Sequence, residues 1–114
     1  MITVYGIKTC DTVRKALKWL NEQGVEHTFH DFRADGLEAA ALERWCRELN
    51  WESVLNKRST TWKQLSENDK AGLDQAKAVA LMVAHPTLVK RPVFEGEGLV
   101  LQGFNDSVQA RLSE

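Results

Sequence analysis

The chain has little from which to build a metal centre, a disulfide framework or a membrane anchor. Of its 114 residues only two are cysteine, three histidine and two proline. His27, His30 and His85 do not fall at metal-ligand spacing with the cysteines or with carboxylates, and strand positions and a helix end explain them better. No apolar run approaches the ~20 residues of a membrane span, which excludes a membrane partner of that kind. Met1-Ile2-Thr3-Val4-Tyr5 lacks the basic stretch and long apolar core of a secretory signal, so a cytoplasmic location is expected, where thiols stay free. Neither is there an excess of one charge: the net charge is −1, with acids and bases interleaved. A general grip on phosphates needs a basic face, so nucleic acid is excluded as a partner on this ground.

What is present is an ordinary globular composition, 43% hydrophobic and 27% charged, in a length that suits one domain over residues 1–114. Residues 2 to 5 read as a short buried strand broken by Gly6. Val13, Ala16, Leu17 and Leu20 then recur at three and four, one face of a helix that Gly24 stops. Glu26 to Phe32 alternates as a half-buried strand does, so the chain opens β-α-β with parallel strands.

A second amphipathic helix runs from about 37 to 49 through Leu42, Trp45, Cys46 and Leu49. A short segment follows at Trp51 to Leu55, and Ser59, Thr60 or Thr61 is placed to cap another. The pattern predicts a helix from Leu73 to His85 with Ala76, Val79, Ala80 and Val83 inward, closed by Pro86. Leu88 to Phe94 and Leu99 to Leu101, around Glu95-Gly96-Glu97-Gly98, read as two antiparallel strands, and a last helix spans about 107–112 behind an Asn105 cap. The order βαβ, helices, ββα is that of an α/β thioredoxin-like fold: a mixed four-stranded sheet with a helical insertion, about 36–86, between its halves.

Cys10 stands where the first strand gives way to the first helix. There the backbone N–H groups and the positive end of the helix dipole favour thiolate over thiol, and Lys8 and Arg14 lie close in sequence. Cys46, on the apolar stripe of its helix, reads as core. Trp19, Trp45, Trp51 and Trp62 sit among apolar neighbours and read as packing.

On Thr9-Cys10-Asp11-Thr12-Val13-Arg14-Lys15-Ala16, Asn56-Lys57-Arg58-Ser59-Thr60-Thr61-Trp62, Lys90-Arg91-Pro92-Val93 and Gly103-Phe104, the chain resembles the arsenate reductase (ArsC) family, which includes the Spx regulators, and is nearest in pattern to its YffB-type branch. The resemblance implies Cys10 as nucleophile and a cis-proline at Pro92 facing it. It also exposes departures. Gly6 stands where arsenate reductases of the family carry a histidine. Of their three oxyanion arginines, Arg91 matches one, Arg58 falls two positions beyond another with Asn56 in its place, and Gly103 replaces the third. Each lost charge-assisted contact weakens oxyanion binding by ~1.5 to 3 kcal/mol. Val13 occupies the second position of the Cys-x-x-Cys that Spx regulators often carry.

The expected function is that of a glutathione-dependent thiol-disulfide reductase with Cys10 as its single catalytic cysteine. Glutathione serves as co-substrate, no bound cofactor or metal is expected, and the other partner is a small-molecule or protein disulfide. Lys8, Thr9, Arg58, Arg91 and Pro92 are the candidate substrate-binding residues, because cations pair with carboxylates and backbone beside Pro92 can bond an extended peptide. Two alternatives stand beside it: an arsenate reductase-like enzyme with a weakened oxyanion site, and an Spx-like regulator that binds RNA polymerase.

Overall fold

The computed structural model describes residues 1–113. They fall into two compact units, one made of Met1–Gly36 with the chain from Arg91 onward, the other of Leu37–Lys90.

The first unit is built on a four-stranded sheet. Strands β1 (Ile2–Gly6), β2 (His27–Asp31), β3 (Val93–Gly96) and β4 (Leu99–Gln102) lie in the order β2-β1-β3-β4. β1 runs parallel to β2 and antiparallel to β3, which is antiparallel to β4. Between β1 and β2 the chain makes helix α1 (Asp11–Glu22), the right length for a parallel crossover. Val4 and Phe94 on one sheet face pack with Ala16 and Leu20 of α1 and with Val108 and Leu112 of the last helix, Asp106–Leu112. The opposite face carries Tyr5, whose hydroxyl donates to Glu95 Oε1 at 3.2 Å and whose ring meets His30 at 4.9 Å.

The second unit is helical: α3 (Ala39–Leu49), α4 (Trp51–Val54), α5 (Thr60–Gln64), α6 (Glu67–Lys70) and α7 (Gln75–Ala84), after the single turn α2 (Phe32–Asp35) that ends the first unit's βαβ segment. Its core holds Leu42, Trp45, Cys46, Val54, Ala78, Met82 and Leu88, all buried. Of the three candidate caps ahead of α5, Ser59 is the one used, accepting from Trp62 N–H at 3.1 Å. α6 went unforeseen, being a single turn fixed by the Ser66 hydroxyl accepting from Asp69 N–H. The closing helix of the first unit, α8 (Asp106–Leu112), is capped by Asn105, which accepts from Val108 N–H at 3.0 Å.

Three expectations need correction. The strand through Phe32 stops at Asp31, because that carboxylate accepts from Arg33 N–H at 2.8 Å and turns the chain into α2. Residues 88–92 are not in the sheet. Pro86–Leu88 forms a 3₁₀ turn, and Val89 and Lys90 pair back to Leu55 and Val54. In α7 the buried face is Ala78, Val79 and Met82, while Ala76, Ala80 and Val83 are exposed. Eight of its ten residues are apolar (Gln75 and Lys77 are not), so the pattern cannot mark one face.

Candidate functional site

Cys10 is the N-cap residue of α1, extended at φ −78° and ψ 125°, with no hydrogen bond from its side chain to the helix. Its N–H donates to Ile7 C=O at 2.9 Å and its C=O accepts from Arg14 N–H at 3.0 Å. The residue therefore closes a tight Ile7–Cys10 turn and starts the helix. The residue is half-buried. α1 has 12 residues, so its dipole is fully developed where the sulfur sits.

Lys8 and Thr9 are exposed in the same turn. Arg14, which lies close in sequence, ion-pairs with Asp11 on the helix surface, and that neutralises much of what it would offer a thiolate. Cys46 is 3% exposed, and burial first, then the nearby charge of Glu43, push its thiol up. It is a core residue, as its place on the apolar stripe implies.

Sequence reasoning passed over Asp31, which is 6% exposed and the only charged or polar residue buried to that degree among the described residues. Its Oδ1 accepts from Arg33 N–H at 2.8 Å and Ala34 N–H at 3.4 Å, and its Oδ2 from Lys8 N–H at 3.2 Å. Burial alone would push the carboxyl up. The donors from Arg33, Lys8 and Ala34, with the Lys8 charge, outweigh it and hold the group below the usual carboxylate range. The signal in sequence was faint: an aspartate at the end of a strand, two residues before an arginine.

Pro92 is buried, and the Arg91–Pro92 peptide bond is cis. The register pairs Tyr5 with Val93, so Pro92 lies at the carboxyl end of β1, the edge of the sheet from which the Cys10 turn leaves. Val93 is paired on both sides, to Tyr5 and to Gln102. Pro92 C=O accepts from Gly103 N–H at 2.9 Å. Arg91 lies two residues before Val93, beyond both ladders at that end of the sheet. Its Nε and Nη1 are buried and meet no acceptor. A guanidinium with two desolvated N–H groups is costly to leave unpaired, and a carboxylate or a comparable oxyanion matches such a fork.

Arg58 belongs to the helical unit, exposed on the loop between α4 and α5, where its N–H donates to Asn56 Oδ1 at 3.0 Å. Lys8, Thr9, Cys10, Arg91 and Pro92 belong to the sheet unit. Among the described residues no three His, Cys, Asp or Glu side chains are grouped to hold a metal ion, and no helix is long and apolar enough to cross a membrane.

The two glycines at the departures from the arsenate reductase pattern have structural reasons. A Cβ on Gly6 would stand 2.6 Å from Cγ2 of Val13. Gly103 has φ +79°, in the region that favours glycine.

A mixed sheet of order β2-β1-β3-β4, a lone cysteine heading the first helix and a cis-proline at the start of β3 define a thioredoxin-like domain. Residues 5–111 match the ArsC family model, and the chain belongs to that family. Among solved structures it is similar to a YffB protein at 46% identity, TM-score 0.95, over the whole of both chains. An arsenate reductase related protein from Brucella melitensis is 42% identical, TM-score 0.76, over 96% of this chain and 92% of that one. The global transcriptional regulator Spx 2 of Bacillus anthracis is 27% identical over 93% of this chain and 82% of its own length.

Proposed function

We propose that the protein is a glutathione-dependent thiol reductase with one nucleophilic cysteine. The observation that carries the reading is the placement, at one end of the sheet, of a cysteine at a helix start and of an arginine whose buried Nε and Nη1 lack an acceptor. A tripeptide thiol with two carboxylates suits both groups. Arg91 would bind one carboxylate, Lys8 and Thr9 would border the sulfur, and backbone beside Pro92 would run along the peptide.

The chemistry balances as two exchanges. The Cys10 thiolate attacks the glutathionyl sulfur of a mixed disulfide, forming a Cys10–glutathione disulfide and releasing the substrate as its thiolate. A second glutathione, as thiolate, attacks the glutathionyl sulfur of that adduct, regenerating the Cys10 thiolate and leaving as glutathione disulfide. Together, one mixed disulfide and one glutathione give the substrate thiol and glutathione disulfide: one disulfide bond is broken and one is formed. With Val13 at the second position of the motif, the resolving thiol comes from outside it.

The test is glutathione-dependent reduction of a small mixed disulfide by the wild type and by Cys10→Ser. Turnover by the wild type alone supports the reading. Equal rates, or none by either, refute it. Arsenate reduction is the weaker alternative, since Asn56 and Gly103 stand where two of the three oxyanion arginines are expected and Gly6 where the histidine is. The similarity to an Spx regulator supports a second reading, polymerase binding without turnover, which co-purification with polymerase subunits from a lysate would favour.

A further inference from the structure

A nucleophile at a helix start works only if the turn that delivers it is held, and the Ile7–Cys10 turn is exposed at Lys8 and Thr9. Inside the turn it is held by Cys10 N–H on Ile7 C=O. Buried Ile7 anchors its start, and its exposed part is tied to the rest of the sheet unit by the bond from Lys8 N–H to Asp31 Oδ2 at 3.2 Å. Asp31 is itself fixed on three sides. Its other oxygen receives Arg33 and Ala34 N–H, its own N–H donates to Asp35 Oδ2 at 3.0 Å, and it pairs with Gly6 across β1 and β2. One buried carboxylate therefore joins the end of β2, the start of α2 and the turn before the nucleophile.

We propose that Asp31 is a positioning residue for Cys10: by holding Lys8 N–H it sets the height of the Ile7–Cys10 turn, and so where the sulfur meets the first turn of α1. The inference rests on the reading of Cys10 as the nucleophile. Asp31 touches no substrate and acts through Lys8. The field of a helix N-terminus falls off within its first turn, so a change in the height of the Ile7–Cys10 turn changes how much of that field reaches the sulfur. Removing the carboxylate also removes a negative charge from the vicinity of the sulfur, which acts in the opposite sense. Asparagine and alanine share that charge effect, but asparagine retains one acceptor oxygen, and the difference between them isolates position.

The experiment measures iodoacetamide alkylation of Cys10 at neutral pH, mapped by mass spectrometry, in the wild type, Asp31→Asn, Asp31→Ala and Asn105→Ala. The last loses the cap of α8 and serves as a control for general destabilisation. Asp31→Ala should alkylate more slowly, by a few-fold, on the order of the thiolate character the helix start contributes, with Asp31→Asn between it and the wild type. Asn105→Ala should match the wild type. Rates in the Asp31 variants equal to or above wild type would overturn the proposal, as would equal slowing in Asn105→Ala. If the alanine variant fails to fold, Asp31→Asn against wild type and Asn105→Ala decides alone. No glutathione enters the assay, so failure of the reductase reading would show in turnover and leave this result legible.

Discussion

Replacing Gly6 by alanine places a methyl 2.6 Å from Cγ2 and 3.2 Å from Cγ1 of Val13, against the 3.4 Å or more of ordinary contact. Val13 is fully buried in the first turns of α1, and its branched Cβ leaves one strongly preferred rotamer in a helix. It cannot swing aside, so β1 and α1 must separate by several tenths of an ångström. Overpacking of this kind costs about 1–3 kcal/mol. The smaller conformational freedom of unfolded alanine returns about 0.4–1 kcal/mol, because the backbone of Gly6 is not in the glycine-only region. The net expectation is a loss of about 1–2 kcal/mol, or roughly 4–16 °C in Tm at about 4–8 °C per kcal/mol for a domain of this size. Val13→Ala alone loses two buried methyl groups and should cost about 2 kcal/mol. In the double variant the new methyl enters the space the old ones left. Chemical denaturation of all four proteins should therefore show a loss smaller than the sum of the singles by at least about 1 kcal/mol, whereas additivity within ~0.5 kcal/mol would refute the interlock. A histidine at position 6 meets the same obstacle.

Arg91→Ala should lower glutathione-dependent turnover by about tenfold or more through KM, because a charge-assisted bond to substrate is worth ~1.5–3 kcal/mol; unchanged steady-state constants would remove Arg91 from the site. Asp31 has its folded-state pKa below its unfolded value, so its contribution to stability is present above about pH 4 and is lost as pH falls through the folded value. Urea denaturation at pH 6 and pH 3 should show the gap between wild type and Asp31→Asn closing at the lower pH, and a constant gap contradicts this. Cys46 is raised, so its contribution runs the other way: present below about pH 8.5 and lost as pH rises through the folded value. In native protein one thiol should alkylate and in urea two; prompt labelling of Cys46 in the native state would contradict its burial.

The parts of the fold carried by period were legible from residues alone. α1 and α3 each show an apolar face at three and four, and their buried residues Val13, Ala16, Leu20, Leu42, Trp45 and Cys46 are the ones that spacing selects. Where period is silent the reading failed. α7 is apolar on nearly every side, and of the four residues expected inward only Val79 is buried. α2 and α6 are single turns decided by one capping carboxylate and one hydroxyl, Asp31 and Ser66. The stretch 88–92 has the composition of a strand, but Val89 and Lys90 take their partners from Leu55 and Val54, a pairing between distant segments that local pattern cannot express. At the site the same division holds. Cys10 at the start of α1 was readable, while the unpaired state of Arg91 Nε and Nη1 and the bond from Lys8 to Asp31 depend on where β2 and β3 bring distant residues.

The claim that most depends on all of this is that Cys10 alone carries a mixed disulfide with glutathione and gives it up to a second glutathione. Intact-mass spectrometry after treatment with glutathione disulfide measures it directly. The account predicts one glutathionyl group on Cys10, none on Cys46, none in Cys10→Ser, and its loss within the turnover time when reduced glutathione is added. An adduct that forms elsewhere, does not form, or resists glutathione would contradict it.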